Sequence, residues 1–439
     1  MSIKLFRKII FGAALVLSCN VVSAQDGAYS SYSPYSVFGV GDIARQGTAY
    51  NKSMGGVGIA SRNNRFINYL NPAAVAARDT LSFMLDFGVF GEGNIYKQGD
   101  VKSASNIFNI YDFVFTVPIY KKSAFIAGIT PYSSLGYDFS HDITDPALVA
   151  SAGNINYRSN GEGSLYQLFL GGGATFWNKL SVGAQFLYYF GNMDKSTSMD
   201  FTSASYRDIY SGYNLNLHAV GGKFGVQYDQ ALAPGLYMTV GATYKTSSRL
   251  KGRVSDYKYA TISSQSDTLH YNVDTLSHGS NVKLASEYGV GIALRKGDKW
   301  RIEFDYTRSD WRNSNFDKTT GFANVGASTF STTYSQSFKA GFEIVPNRND
   351  IRYYMRRCSY RAGMYYDRDY YKLDGNTVNS YGVTLGITLP VFRWYNGISI
   401  GVDLGQRGTN TGNMIRERYA MFVVGFNIHD IWFQKPKYD

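Results

Sequence analysis

Cysteine is almost missing from this chain. There are two in 439 residues, Cys19 and Cys358, and nine prolines. Cys19 falls in an N-terminal stretch with the marks of a secretory signal: basic Lys4, Arg7 and Lys8, apolar Ile9 to Leu17, then small Val22-Ser23-Ala24. Cleavage after Ala24 is expected, with residues 1–24 as the signal. Lipidation of Cys19 fits less well, because small and apolar residues continue past it and no flexible tether follows. The mature chain then keeps Cys358 alone, which excludes an internal disulfide.

Long apolar runs are missing too. No stretch after the signal reaches 18 apolar residues, so no helix is expected to span a membrane. Charge is sparse, at 18% of residues, and its surplus of +11 is spread along the chain without a Lys/Arg block. A nucleic-acid surface is therefore not expected. Catalytic and metal signatures are lacking as well. His141, His218, His270, His278 and His429 are scattered, with no pair at metal-ligand spacing. There is no G-x-S-x-G elbow. "GGVGIA" is short of a dinucleotide fingerprint. "DYYKLDGN" places Asp369, Asp374 and Gly375 at the wrong spacing for a calcium loop. No enzyme activity, cofactor or metal is expected.

What is abundant is Tyr (37), Phe (28) and Gly (46). They occur in segments of period two. "LSVGAQFLYYF" puts Leu180, Val182, Ala184, Phe186, Tyr188 and Phe190 on one face. "YGVTLGITL" does the same with Tyr381, Val383, Leu385, Ile387 and Leu389. Strand side chains alternate between faces, so each segment has one apolar and one small or polar surface. Fourteen such segments are expected, near 81–91, 107–119, 124–137, 165–176, 180–190, 214–227, 236–249, 282–294, 300–308, 332–345, 359–371, 379–391, 397–404 and 419–428. Most have the length of a tilted strand crossing a bilayer.

Their connections alternate. Short turns are expected near 120–123, 178–179, 229–235, 297–299 and 393–396, with a somewhat longer one at 346–358. Longer loops are expected at 92–106, 138–164, 191–213, 251–281, 309–331 and 405–418. The connection at 372–378 is short and breaks the rule. Long external loops and short periplasmic turns characterise an outer-membrane barrel. An all-β, transmembrane antiparallel β-barrel of about 14 strands over residues 80–439 is therefore expected, in the bacterial outer membrane with both termini periplasmic. Trp432, Phe433 and Tyr438 in the tail fit an aromatic interface belt.

With apolar faces toward lipid, the opposite faces line the lumen. Asp86, Arg301, Glu303, Asp305, Lys339, Glu343, Arg361, Asp367 and Asp403 then point inward. They are of both signs, which predicts a salt-bridge network supporting a plug more than a single-sign ion filter.

Residues 25–79 precede the first strand and do not alternate. Gly55 and Gly56 permit tight turns, Asn71-Pro72 is a turn signal, and Ala73 to Ala77 suit one helical turn. Met54, Ile59, Phe66, Ile67, Tyr69, Leu70 and Val75 argue against a disordered leader. A compact N-terminal plug inside the barrel is expected.

At this point the chain resembles a family. "SMGGVGIA" and "NPAAVA" resemble the N-terminal hatch of FadL-type long-chain fatty acid transporters. "TPYSSLGY" and "GEGSLYQLFLGGGATFWNKLSVGAQFLYYFG" are similar to that family's middle strands. "GQRGTNTGNMIRERYAMFVVGFNIHDIWFQKPKYD" is similar to the C-terminal ends of Bacteroidota members. The resemblance implies a fourteen-stranded barrel with an internal hatch, passing hydrophobic compounds through a gap in the wall at an inward kink of the third strand. It maps the hatch motif onto Asn71, Pro72 and Ala73, and the opening onto Pro131, Tyr132, Ser133 and Gly136. Here the lumen is more charged than a greasy conduit needs, and 138–164 and 251–281 lack apolar runs. Members of this superfamily also serve as partner-binding barrels in secretion or assembly machines. Outer-membrane lipid is an expected partner. A hydrophobic small molecule and an envelope protein are the two further partner classes.

Overall fold

The computed structural model describes residues 31–78, 82–203, 205–262, 265–276, 281–323, 329–391, 396–411 and 414–431. The expected signal, Cys19 and the aromatic tail lie outside the described residues. Fourteen antiparallel strands form the wall: β1 (Ser82–Gln98), β2 (Val101–Tyr120), β3 (Ser123–Ile143), β4 (Ile155–Phe176), β5 (Leu180–Phe201), β6 (Asp208–Ala233), β7 (Leu236–Lys245), β8 (Glu287–Lys296), β9 (Trp300–Asp310), β10 (Tyr334–Ile344), β11 (Ser359–Leu373), β12 (Asn376–Val391), β13 (Asn396–Arg407) and β14 (Arg416–Ile431). Each pairs with its neighbour, and β14 returns to β1 from Ser82↔Ile431 to Lys97↔Arg416. The sheet closes into a barrel, which spares its strands the free edges of an open sheet over most of the wall.

The alternation decides which way each side chain faces. Phe304, Phe338, Phe342, Met364, Leu385 and Phe422 are exposed on the outer surface, while Glu303, Asp305, Glu343 and Arg361 on the same strands are buried. This inverts the soluble pattern and is the arrangement a lipid-facing barrel requires. No described helix is long and apolar enough to cross a membrane.

At one end the strands are joined by tight turns. Lys122 (φ 57°), Trp177 (φ 47°) and Asn178 (φ 61°) take left-handed backbone there. At the other end the strands outrun the hydrophobic band, since β6 has 26 residues where about 9–11 cross a bilayer. Several expected loops are strand for this reason. Residues 92–106 are a hairpin turning at 99–100. The 138–164 loop shrinks to a seven-residue helix, Pro146–Ala152, and its flanks. The 191–213 loop shrinks to 202–207. Residues 251–281 hold a hairpin, Lys251–Ile262 with Gln265–Thr275, that pairs onto the outer half of β6 from Lys251↔His218 to Thr261↔Asp208. A search for apolar alternation passes over these extensions because their outer faces meet water, although inward residues such as Tyr96, Met193 and Glu417 are buried. The short 372–378 connection is a two-residue turn, Asp374 (φ 48°) and Gly375 (φ 79°), a pair that fits a tight hairpin.

The N-terminal segment has no period because it is a series of capped turns. Ser33 caps Pro34–Val37, Thr48 forms a capping box at Ala49–Lys52, and Asn71 caps Pro72–Ala77. Many of its apolar residues share a core with inward residues of the wall, while Tyr50, Met54, Val57 and Phe66 pack on one another. Phe38 stacks on Phe330 at 5.2 Å and Tyr69 on Phe169 at 5.2 Å.

Candidate functional site

The wall is incomplete between β2 and β3. These strands pair only from Tyr120↔Ser123 to Phe113↔Ile129. Beyond that point β2 stays paired to β1 as far as Val101↔Gln98, and β3 to β4 as far as Ile143↔Ile155. The two strands have parted from each other. Pro131 stands just past the parting, where it has no N–H to give a ladder. A register shift against β4 between Pro131 and Ser133 adds a local bend.

A strand edge left in this way must find partners. The N-terminal segment supplies them. Gln46 Nε2 donates to Pro131 O (2.9 Å), and Ala44 N to Tyr132 O (2.9 Å). Ile43 and Asp42 pair with Ser133 and Ser134. Gly136 accepts from Ser33 N (2.8 Å) and gives its own N–H to Ser36 Oγ (3.0 Å). Tyr32 OH reaches Asp138 O (2.9 Å). A Cβ on Gly136 would meet Ser31 O at 1.6 Å, so only glycine permits this approach. All four residues expected at an opening, Pro131, Tyr132, Ser133 and Gly136, therefore lie on this freed edge. Tyr132, Ser133 and Gly136 are buried.

Asn71, Pro72 and Ala73 seat on the unbroken wall next to the seam, against β4, β5 and β6. Asn71 Nδ2 donates to Ile59 O (2.7 Å) and Val226 O (3.3 Å), and its Oδ1 accepts from Ala73 N (3.0 Å). Pro72 lies so close to β5 that a Cβ on Gly183 would stand 2.4 Å from its carbonyl oxygen. On β6, a Cβ on Gly225 would stand 2.0 Å from Asn71 Oδ1. Gly55 (φ 72°) and Gly56 (φ 78°) turn the chain toward β10–β12, where Gly55 N donates to Thr384 Oγ1 (2.8 Å).

The inward charges are tied to the same segment. Arg301 donates to Tyr50 OH (3.0 Å), Ser61 Oγ (3.2 Å) and Arg62 O (3.1 Å). It also faces Glu303 (3.4 Å) and Glu343 (3.6 Å). Glu343 accepts from Tyr50 OH (3.0 Å) and faces Arg361 (3.7 Å). Asp305 Oδ2 takes the N–H groups of Gly58 (2.6 Å) and Ile59 (2.8 Å). Asp403 binds Arg45 Nη1 (2.6 Å) and Tyr365 OH (2.7 Å), and Asp367 faces Arg45 Nε (3.7 Å). Asp86 sits across from Asn427 (3.5 Å). Lys339 lies beside Gly56. Arg301, Glu303, Asp305, Glu343 and Arg361 thus form one cluster, Asp367 and Asp403 a second around Arg45, and Asp86 stands apart.

Several charges were not anticipated from the sequence. Arg45 and Lys52 lie in the segment without a period. Lys245–Glu287 (3.5 Å) and the Arg407 pairs with Asp42 (2.9 Å) and Asp369 (2.8 Å) sit at strand ends or in expected loops. Strand alternation continued past the apolar band would have placed Arg407 and Glu417 inward. Burial pushes the Lys52 ammonium down to about 8, with Asp112 opposing.

Behind the seam lies a cavity of about 340 Å³. It reaches Ile107 and Tyr111 of β2 and Tyr132 of β3, and is walled by Arg45, Lys245 and Arg407 with their acids. Such groups stay buried only while paired, because removing either partner strands a charge. Among the described residues no group of three or more His, Cys, Asp or Glu could hold a metal.

The fold has solved counterparts. The toluene transporter TbuX of Ralstonia pickettii is 14% identical, with a TM-score of 0.58 over 87% of this chain and 98% of that one. A FadL homologue of Pseudomonas aeruginosa is 11% identical, with a TM-score of 0.54 over 89% and 99%. The toluene transporter TodX of Pseudomonas putida is 14% identical, with a TM-score of 0.51 over 89% and 99%. The chain thus shares its fold with FadL-type outer-membrane transporters of hydrophobic compounds. No curated protein matches its sequence. The family pattern that does match is BamG, over residues 5–439, and the chain belongs to the BamG family.

Proposed function

We propose that residues 25–79 act as a fixed plug, and that the chain is a non-transporting barrel subunit of an outer-membrane secretion or assembly complex. The observation that carries this reading is the charged wall of the cavity behind the seam. An apolar molecule passing from the outer mouth to the parted strands would slide against Arg45–Asp403 and Arg407–Asp369. It would strip water from those groups and give nothing back. A lumen whose opposite charges satisfy one another is suited to holding the plug still. The reading keeps both termini on the periplasmic side, residues 1–24 as a cleaved signal, and the C-terminal likeness to Bacteroidota members.

The test is extraction from its own membrane in mild detergent with an affinity tag on the full chain. A partner protein in fixed ratio is expected. A barrel that purifies alone and carries labelled toluene or oleate into proteoliposomes would sink the reading.

A second reading is passive transport of a small hydrophobic compound, leaving through the wall between β2 and β3. It rests on the cavity's reach to the parted strands at Tyr111 and Tyr132. It predicts saturable uptake in the same vesicles that a disulfide engineered across the parted strands abolishes and its reduction restores.

A further inference from the structure

The connections at the tight-turn end of the barrel are two to four residues long, with one exception, residues 345–358 between β10 and β11. This turn, "VPNRNDIRYYMRRC", carries four arginines, Arg348, Arg352, Arg356 and Arg357, and one acid, Asp350. Arg356 faces Asp350 (3.4 Å) and Arg348 faces Asp298 of the next turn (3.7 Å). Four arginines against these two acids leave a cationic surplus. It is built to one shape. Asp350 Oδ1 accepts from the backbone of Arg352 (2.9 Å) and Tyr353 (2.7 Å), and Asn347 N donates to Arg356 O (2.8 Å). Tyr354 OH ties the turn to Pro390 O (3.0 Å) on β12.

The fixed shape displays apolar groups to water. Ile351 is 94% exposed, Met355 55% and Tyr353 51%. Two guanidinium groups flank the Tyr353 ring, Arg356 at 4.8 Å and Arg352 at 5.7 Å. A turn needed only to join two strands requires neither the length nor this display.

We propose that the 345–358 turn is a docking surface for a periplasmic protein that presents acidic residues around an apolar pocket. This rests on the partner-subunit reading and names the surface it would use. Tyr, Arg and Met are enriched at protein interfaces, and Tyr and Arg among the few residues that carry most of the binding energy. The cationic surplus selects an acidic face and steers its approach. Anionic lipid is the competing occupant. It would be held by charge alone, without need of a turn fixed by Asp350, Asn347 and Tyr354.

The test uses the full-length chain in its native membrane, with a photo-crosslinking residue at Ile351 and, as a control, at Gly235 of the β6–β7 turn at the same end. The protein that co-purifies with the tagged barrel is expected to crosslink from position 351 and not from 235. The double variant R352E/R356E should lower its recovery roughly tenfold, and changing acids on that protein to lysine should restore it. R352E alone, which leaves the Arg356–Asp350 pair (3.4 Å) in place, should lower it in the same direction. Both arginines are exposed, and heat-modifiable migration on a gel checks that the variant barrel is folded. Undiminished recovery with R352E/R356E would overturn this surface while leaving the partner reading intact. Adducts confined to phospholipid, with the reversed turn losing affinity for phosphatidylglycerol vesicles, would overturn it in favour of lipid. A wild-type barrel that captures no partner under any extraction would overturn both.

Discussion

The β4–β5 ladder and the β2–β3 seam treat the same N-terminal segment in opposite ways. From Ile155↔Phe201 to Phe176↔Leu180, β4 and β5 pair without a register shift. There the segment lies against glycine backbone, at Gly173 and Gly183, and supplies none of the ladder. At the seam the ladder stops at Phe113↔Ile129, and the segment itself becomes the missing neighbour of β3. Strand edges tolerate no vacancy in a bilayer. One stretch of chain therefore serves as cargo of the wall on one side and as part of the wall on the other.

The largest expected effect comes from the charge cluster that anchors the segment on the unbroken side. Glu343→Ala strands Arg361 and leaves Arg301 with Glu303 as its acid, and a broken buried pair costs about 3–5 kcal/mol. The temperature at which the folded gel band is lost should fall markedly. The reverse result, a barrel of unchanged stability, would mean that water already solvates these guanidinium groups.

Next come the two glycine contacts, which put the comparison directly. Gly183→Ala pushes a methyl into Pro72 on the intact wall, and Gly136→Ala pushes one into Ser31 at the seam. Overpacking of this kind costs about 1–3 kcal/mol. Gly183→Ala should expose the 62–78 stretch to protease, whereas Gly136→Ala should free residues 31–46 and leave Asn71 seated. Equal cleavage patterns would erase the distinction between the two regions.

Much of the barrel was legible in the sequence, because a lipid-facing strand must alternate and alternation survives without any tertiary information. Phe304, Phe338 and Leu385 point outward, as period two requires. The inward Arg301, Glu303 and Asp305 follow from the same count. What alternation does not mark was not legible. Arg45 and Lys52 sit in capped turns, where no period assigns a face. Arg407 and Glu417 belong to strand extensions whose outer faces are wet, so they passed for loop. The parting of β2 from β3 left one local mark, Pro131. Its consequence, a segment some 90 residues earlier pairing with Ser133 and Ser134, is a long-range register that no local pattern encodes.

Smaller effects sharpen the seam. Gln46→Ala removes the donor to Pro131 O and the contact with Thr130 Oγ1 (3.1 Å). The loss of one such hydrogen bond costs about 1 kcal/mol. Hydrogen exchange should quicken at Ala44 and Tyr132 and stay unchanged along β4–β5.

Lys52 gives the smallest and most directional expectation. Its ammonium sits in the segment, 4.9 Å from the Tyr111 ring on β2 and donating to Arg45 O (2.6 Å). Burial lowers it to about 8, below its unfolded value of about 10.4. Below pH 8 both states hold the proton, so stability does not vary with pH through this group, although the buried charge still costs stability there. Between about 8 and 10.4 the folded state has released it while the unfolded chain still binds it. The unfolded chain then carries more protons, and stability rises with pH across that window. Other groups titrate there too, so the readout is the difference between the wild-type protein and Lys52→Met. The variant should lose the rise, and its unfolding midpoint should gain on the wild type below pH 8, where the wild type holds a buried charge. Parallel curves would mean that water reaches Lys52 through the seam and that β2 and β3 are parted more widely than their hydrogen bonds imply.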